Sequence, residues 1–150
     1  MIIAGIDPGW KTGGVALVGD NGWAEVHDLP TFTDGGVNSL ALAEILESVE
    51  CDHCVVEAQS ARPGQGVSSM FKLGMGFGQV LATVAMTRIP LTTVTAAKWK
   101  RSLNVPKDKD GARRLAIQWY PSLAEQLKRK KDEHRAEALL LATYYRGGRV

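Results

Sequence analysis

MIIAGIDPGWKTGGVALVGDNGWAEVHDL, residues 1–29, decides how the rest of the chain must be arranged. MIIAGID is apolar and β-branched and stops at Pro8-Gly9, a turn signal. GGVALVG (13–19) reads as a second strand, and Asp20-Asn21-Gly22 as a hairpin turn. WAEVHDL (23–29) alternates with period two, as a strand should. Three strands on short connections predict an antiparallel meander, with Asp7 at the end of its first strand.

Working outward, residues 34–49 place Val37, Leu40, Ala41, Ile45, Leu46 and Val49 at helical spacing. CVVEA (54–58) is a short apolar run, as expected of a strand covered on both faces. Residues 59–67 read as a loop and residues 69–86 as a long helix. Gly74, Gly76 and Gly78 in that helix lower its propensity but permit close packing or backbone approach. Pro90 leads into LTTVT (91–95), a fifth strand, and Thr95 is placed to cap AAKWKRSL (96–103). After a loop at 104–109, a helix runs from Asp110 to Trp119 and Pro121 stops it; the last helix covers 132–146. The order βββαβαβα, followed by further helix, predicts an α/β fold. Its five-stranded mixed sheet has three antiparallel strands first and then two parallel ones, with helices on both faces. A length of 150 residues fits one domain, 1–150.

Hydrophobic residues make up 45% of the chain, an ordinary globular composition. No apolar run approaches the roughly 18 residues of a membrane span. The N-terminus lacks a basic leader and reads as a strand, so a cytoplasmic protein with no membrane partner is expected. Cys51 and Cys54 form a lone C-x-x-C, a weak metal signal that reads more simply as a strand entry in a reducing compartment. The net charge of +2 hides an asymmetry. Residues 1–60 hold ten acids and one base, Lys11, whereas residues 98–131 hold eleven bases and three acids. One part can concentrate cations and the other can neutralise phosphates, which points to a polyanionic substrate.

Asp7 ends the first strand and Glu57 the fourth. If those strands are parallel neighbours, the two carboxylates share the carboxyl edge of the sheet, where open α/β sheets bind ligands. An Asp and a Glu there repel unless a cation lies between them, and hard oxygen donors suit Mg²⁺ or Mn²⁺. In KKDEHRAEALLLATYY (130–145), His134 and Glu137 are three apart and share a helical face that Ala138 and Leu141 carry into the core. Asp7, Glu57, His134 and Glu137 then form a candidate two-metal site for phosphodiester hydrolysis. Singly, each has a plainer reading: Asp7 as a turn residue, Glu57 as an exposed strand end, His134 as a surface residue. Their convergence favours the site. Asp132 reads as a helix cap, since its spacing from Glu137 puts it off that face.

Four blocks in order, GIDPGWKTGGVAL (5–17), VVEAQSA (55–61), KLGMGFGQVLATVA (72–85) and HRAEALLLATYY (134–145), resemble the RuvC family of Holliday junction resolvases, within the ribonuclease H-like superfamily. The resemblance implies a ribonuclease H-like fold and a homodimer that nicks two opposed strands of a four-way DNA junction using Mg²⁺. It implies metal-binding catalytic roles for Asp7, Glu57 and Glu137, with His134 at a fourth position that is Asp in many members. It places dimer contacts on the helix at 69–86, and phosphate-contacting or catalysis-assisting lysines around 98–109. Candidate DNA contacts are Lys98, Lys100, Arg101, Lys107, Lys109 and Arg113. Two departures stand out. The chain is short for a cellular bacterial member, which points to a phage or mobile-element relative. Ala58, Gln59, Ser60 and Ala61 follow Glu57 where many members carry an aromatic wedge, and the next aromatic is Phe71. Two alternatives remain: a ribosomal RNA-processing nuclease of the same superfamily, and a protein that holds branched DNA without cutting it.

Overall fold

The computed structural model describes residues 1–148. Five strands, β1 (Ile3–Asp7), β2 (Gly14–Val18), β3 (Ala24–Asp28), β4 (His53–Ala58) and β5 (Leu91–Thr95), form one sheet in the order β3-β2-β1-β4-β5. β1 to β3 pair antiparallel, while β4 runs parallel to β1 and β5 parallel to β4. The helices are α1 (Ser39–Glu47), α2 (Val67–Met86), α3 (Ala96–Ser102), α4 (Gly111–Trp119), α5 (Ala124–Leu127) and α6 (Glu133–Gly148). Among the described residues, no helix is long and apolar enough to cross a membrane.

Side-chain alternation along the central strands divides the interior into two cores. Ala4 and Ile6 of β1 join Cys54 and Val56 of β4 under α1 and α2, around Leu42, Leu46, Val80 and Val84. Ile3 and Val55 face the other way, onto α4, α5 and α6, around Leu127, Leu139 and Leu140. By the same parity Asp7 and Glu57 project on the α6 side. The β1–β4 register pairs Ile6 with Val56, so one residue further it brings Asp7 beside Glu57.

α6 approaches the sheet closely because Gly5 and Gly14 lack side chains. A Cβ on Gly5 would run into the Ala138 carbonyl, and one on Gly14 into the His134 carbonyl. Gly14 is the register partner of Asp7, so this approach sets the first turn of α6 against the end of β1. Of the three glycines in α2, only Gly76 is at a close approach: its Cβ would lie 2.9 Å from the Gly9 carbonyl oxygen, whereas Gly74 and Gly78 face open space.

The structure corrects two boundaries and adds an element. The first helix starts at Ser39 rather than 34. Gly35 and Gly36 have φ of 104° and 98°, and any side chain on Gly35 would strike the Trp10 indole, so this segment is a turn packed on Trp10. Asn38 then caps α1, accepting from the Ala41 N–H at 3.1 Å. α2 begins two residues earlier than the glycine-rich pattern indicates. The region 120–132 contains α5 between two 3-10 turns, Pro121–Leu123 and Lys130–Asp132. The C-x-x-C stretch is built into the sheet: both thiols are free, burial pushes the Cys54 thiol up, and His53 bonds Thr92 and stacks on Tyr145.

Candidate active site

Asp7, His134 and Glu137 meet at the carboxyl edge of the sheet. Each offers one ligand atom, and all three atoms lie within 4.8 Å of one another. β1 delivers Asp7, nearly buried, and the first turn of α6 delivers the other two on one face. His134 Nδ1 is 2.7 Å from Asp7 Oδ2, and Nε2 has no hydrogen-bond partner among the described residues. Glu137 Oε2 is 2.5 Å from the Lys100 ammonium.

Glu57 projects at the same edge but stands outside that triplet. Its Oε2 accepts the indole N–H of Trp99 at 2.8 Å and its Oε1 the Gln59 side-chain amide at 3.3 Å. Trp99 is fully buried, and its position in α3 follows from Thr95, which caps the helix directly after β5 by accepting the Lys98 N–H at 3.3 Å. Sequence reasoning did not single out Trp99 or Gln59; the available signal was an indole inside the basic run AAKWKRSL, where an apolar ring needs an interior destination.

The electrostatics follow from this crowding. Burial, then the Asp7 carboxylate, pushes Glu57 up to about 7, against the pull of the Trp99 N–H. Burial and Asp7 also raise Glu137, while Lys100 moderates the shift. The hydrogen bond to Asp7 raises His134 and favours its imidazolium. For Lys100, burial opposes the charge, but Glu137, Glu57 and Asp7 outweigh it and hold the ammonium protonated. Three crowded carboxylates with one imidazole make a donor set of the kind that suits a divalent cation.

The basic residues divide by what they touch. A groove of about 620 Å³ runs from Glu137 and Lys100 past Arg101 to Lys107 and Lys109. Lys98, Arg101, Lys107 and Lys109 are exposed and none is in an ion pair among the described residues. Lys100 instead turns into the acidic cluster. The Arg113 guanidinium binds Asp110 and the Lys128 carbonyl, and its side chain is only 12% exposed. Asp132 is buried and lies outside the cluster. Its Oδ2 accepts the Arg129 N–H at 3.0 Å, and its carboxylate pairs with the guanidinium groups of Arg129 and Arg135. It therefore caps the turn before α6, one turn upstream of the expected helix start.

The meander, the two parallel strands and the helix laid across the sheet toward Asp7 make up the ribonuclease H-like fold as RuvC-type resolvases build it. Among solved structures, the chain is similar to Thermus thermophilus RuvC in complex with a Holliday junction substrate, at TM-score 0.74 and 20% identity over 97% of this chain and 94% of that one. It is also similar to a second Thermus thermophilus RuvC structure, at TM-score 0.65 and 21% identity over 99% and 97%. The fowlpox virus Holliday junction resolvase matches at TM-score 0.62 and 14% identity over the whole of both chains. No family model and no curated protein matches the chain by sequence.

Proposed function

We propose that this protein is a metal-dependent, structure-selective endonuclease that nicks opposed strands of four-way DNA junctions by phosphodiester hydrolysis. The observation that carries the proposal is the Asp7–His134–Glu137 triplet within 4.8 Å, whose Glu137 also lines the groove that carries the exposed Arg101, Lys107 and Lys109. Asp7, Glu57, His134 and Glu137 hold the ions. When bound, two Mg²⁺, or Mn²⁺ in their place, supply an activated water and charge for the leaving oxygen. His134 uses Nδ1 to orient Asp7 and keeps Nε2 for an ion or for a proton near the attacking water. Trp99 fixes one oxygen of Glu57 and leaves the other to a flexible amide. Lys98, Arg101, Lys107 and Lys109 grip the sugar-phosphate backbone without reading bases.

The proposal includes a homodimer whose two-fold axis matches that of the junction. α2 supports it with an apolar stripe, Val67, Phe71, Met75, Ala82 and Met86, exposed on one side of the helix and continued by the open Gly74 and Gly78. A stripe of this length on a solvent-facing helix is costly unless a partner covers it.

The test is cleavage of a synthetic four-way junction in Mg²⁺ by the wild type and by Asp7→Asn, beside linear duplex and structured RNA. Paired nicks by the wild type alone, with Asp7→Asn still binding, are expected. A folded wild type that nicks no branched DNA overturns the proposal. Preferential cutting of structured RNA moves it to RNA processing, and metal-independent binding without products makes it a junction-binding protein.

A further inference from the structure

We infer that Lys100 is an internal counter-cation: its ammonium occupies the place at Glu137 that a divalent cation takes, and metal entry displaces it into the basic groove. This rests on the metal-site reading above and adds what neutralises Glu137 before a cation binds.

Each carboxylate at the sheet edge has a protein donor of its own. His134 serves Asp7 at 2.7 Å, Trp99 serves Glu57 at 2.8 Å, and Lys100 serves Glu137 at 2.5 Å. The last two donors are consecutive residues of α3, but they differ in freedom. Trp99 is locked in the core. The Lys100 side chain is 41% exposed, its Nζ lies 5.4 Å from the Trp99 ring centroid, and it lines the same groove as Glu137. Its four-carbon stem therefore has room to swing outward without any backbone movement. An ammonium and a divalent ion cannot share Glu137 at contact distance, because like charges in a part-buried site repel strongly. A divalent ion held by the triplet would also engage Asp7, with which the Lys100 ammonium makes no ion pair. The monovalent group is thus the one to leave, and the groove is where it goes. The same exchange explains how three crowded acids tolerate the metal-free state.

The experiment uses the wild-type chain without DNA. An amine-acylating reagent is applied at fixed ionic strength with and without Mg²⁺, and each lysine is read by peptide mass spectrometry. An ammonium packed against a part-buried carboxylate is shielded from the reagent, so Lys100 should acylate slowly without metal and severalfold faster with it. Lys98 and Lys107, already exposed, should not change. In parallel, the Mg²⁺-induced rise in melting temperature should be larger in Lys100→Met than in the wild type, because no cation has to be displaced. A thermal shift in the wild type with unchanged Lys100 reactivity overturns this inference and leaves the metal site standing. A Lys100→Met shift no larger than that of the wild type does the same. No Mg²⁺-induced shift in the wild type overturns both readings. Should Lys100→Met fail to fold, the acylation of the wild type decides alone.

Discussion

Glu57 and Glu137 carry the same side chain but meet different neighbours, and the difference sets how the protein responds to pH. Burial and Asp7 raise both; an indole N–H moderates one and an ammonium the other. A carboxyl whose folded value exceeds its unfolded value keeps its proton longer in the native state. As pH rises from the unfolded value of 4.5 toward the folded value of about 7, the unfolded chain ionises first and native stability falls. His134 acts in the same direction: its folded value is raised, so its contribution is present below the unfolded value and lost as pH climbs through the folded one. The metal-free protein should therefore melt at a lower temperature at about pH 8 than at about pH 5, by a penalty on the order of a few kcal/mol. Mg²⁺ should restore more of the loss at the higher pH, where the acids are ionised. A calorimetric pH series with and without Mg²⁺ measures both, and a flat metal-free profile contradicts the coupling.

At the scale of elements, the site depends on how closely α6 approaches the sheet. Gly5 and Gly14 meet α6 backbone carbonyls, which cannot rotate away as a flexible side chain can. Gly5→Ala should cost about 1–3 kcal/mol in urea denaturation through overpacking. By lifting α6 it should also weaken Mg²⁺ binding, since His134 and Glu137 would move off Asp7. A Gly147→Ala control, on the same helix and with nothing within reach of its Cβ, should stay within about 0.5 kcal/mol of the wild type or gain helix propensity. Element identity was largely legible in the sequence, because strand alternation and helical spacing are local signals. The start of α1 was not. Residues 34–37 fit a helical period, but Gly35 and Gly36 adopt positive φ to seat against Trp10, a contact made from a distant turn. Residues 120–132, where short helical turns alternate around Pro121, were also illegible, because single turns have no periodicity to detect.

Across the whole molecule, the charge asymmetry becomes a geometry: an acidic edge at the mouth of a basic groove. Binding of a four-way junction without divalent metal should weaken steeply with salt. Replacing Lys107 and Lys109 together by Ala should reduce the log–log salt slope by about 2, if each contacts one phosphate. Replacing Arg113 by Ala should leave the slope unchanged and act on stability instead, because its guanidinium is engaged within the fold. Fluorescence anisotropy over a salt series separates the two. The exposed α2 stripe makes a second prediction at this scale: Phe71→Glu should convert a dimer into a monomer in analytical ultracentrifugation while the melting temperature of the protomer changes little, since Phe71 is 68% exposed.

The sequence by itself determined the order of the five strands and the longer helices, the edge of the sheet at which Asp7 and Glu57 end their strands, and the shared face of His134 and Glu137. Those follow from periods of two and 3.6 residues, which the chain carries locally. Only the tertiary structure decided which partner each group takes. Lys100, expected among the DNA contacts, instead lies on Glu137, Arg113 turned inward, Glu57 bonded to Trp99, and Asp132 capped a turn upstream. Each of these depends on the reach of a long or planar side chain to an element packed beside it. Side-chain reach across packed elements leaves no repeat in the sequence, and for that reason the edge of the sheet was legible before its internal pairing was.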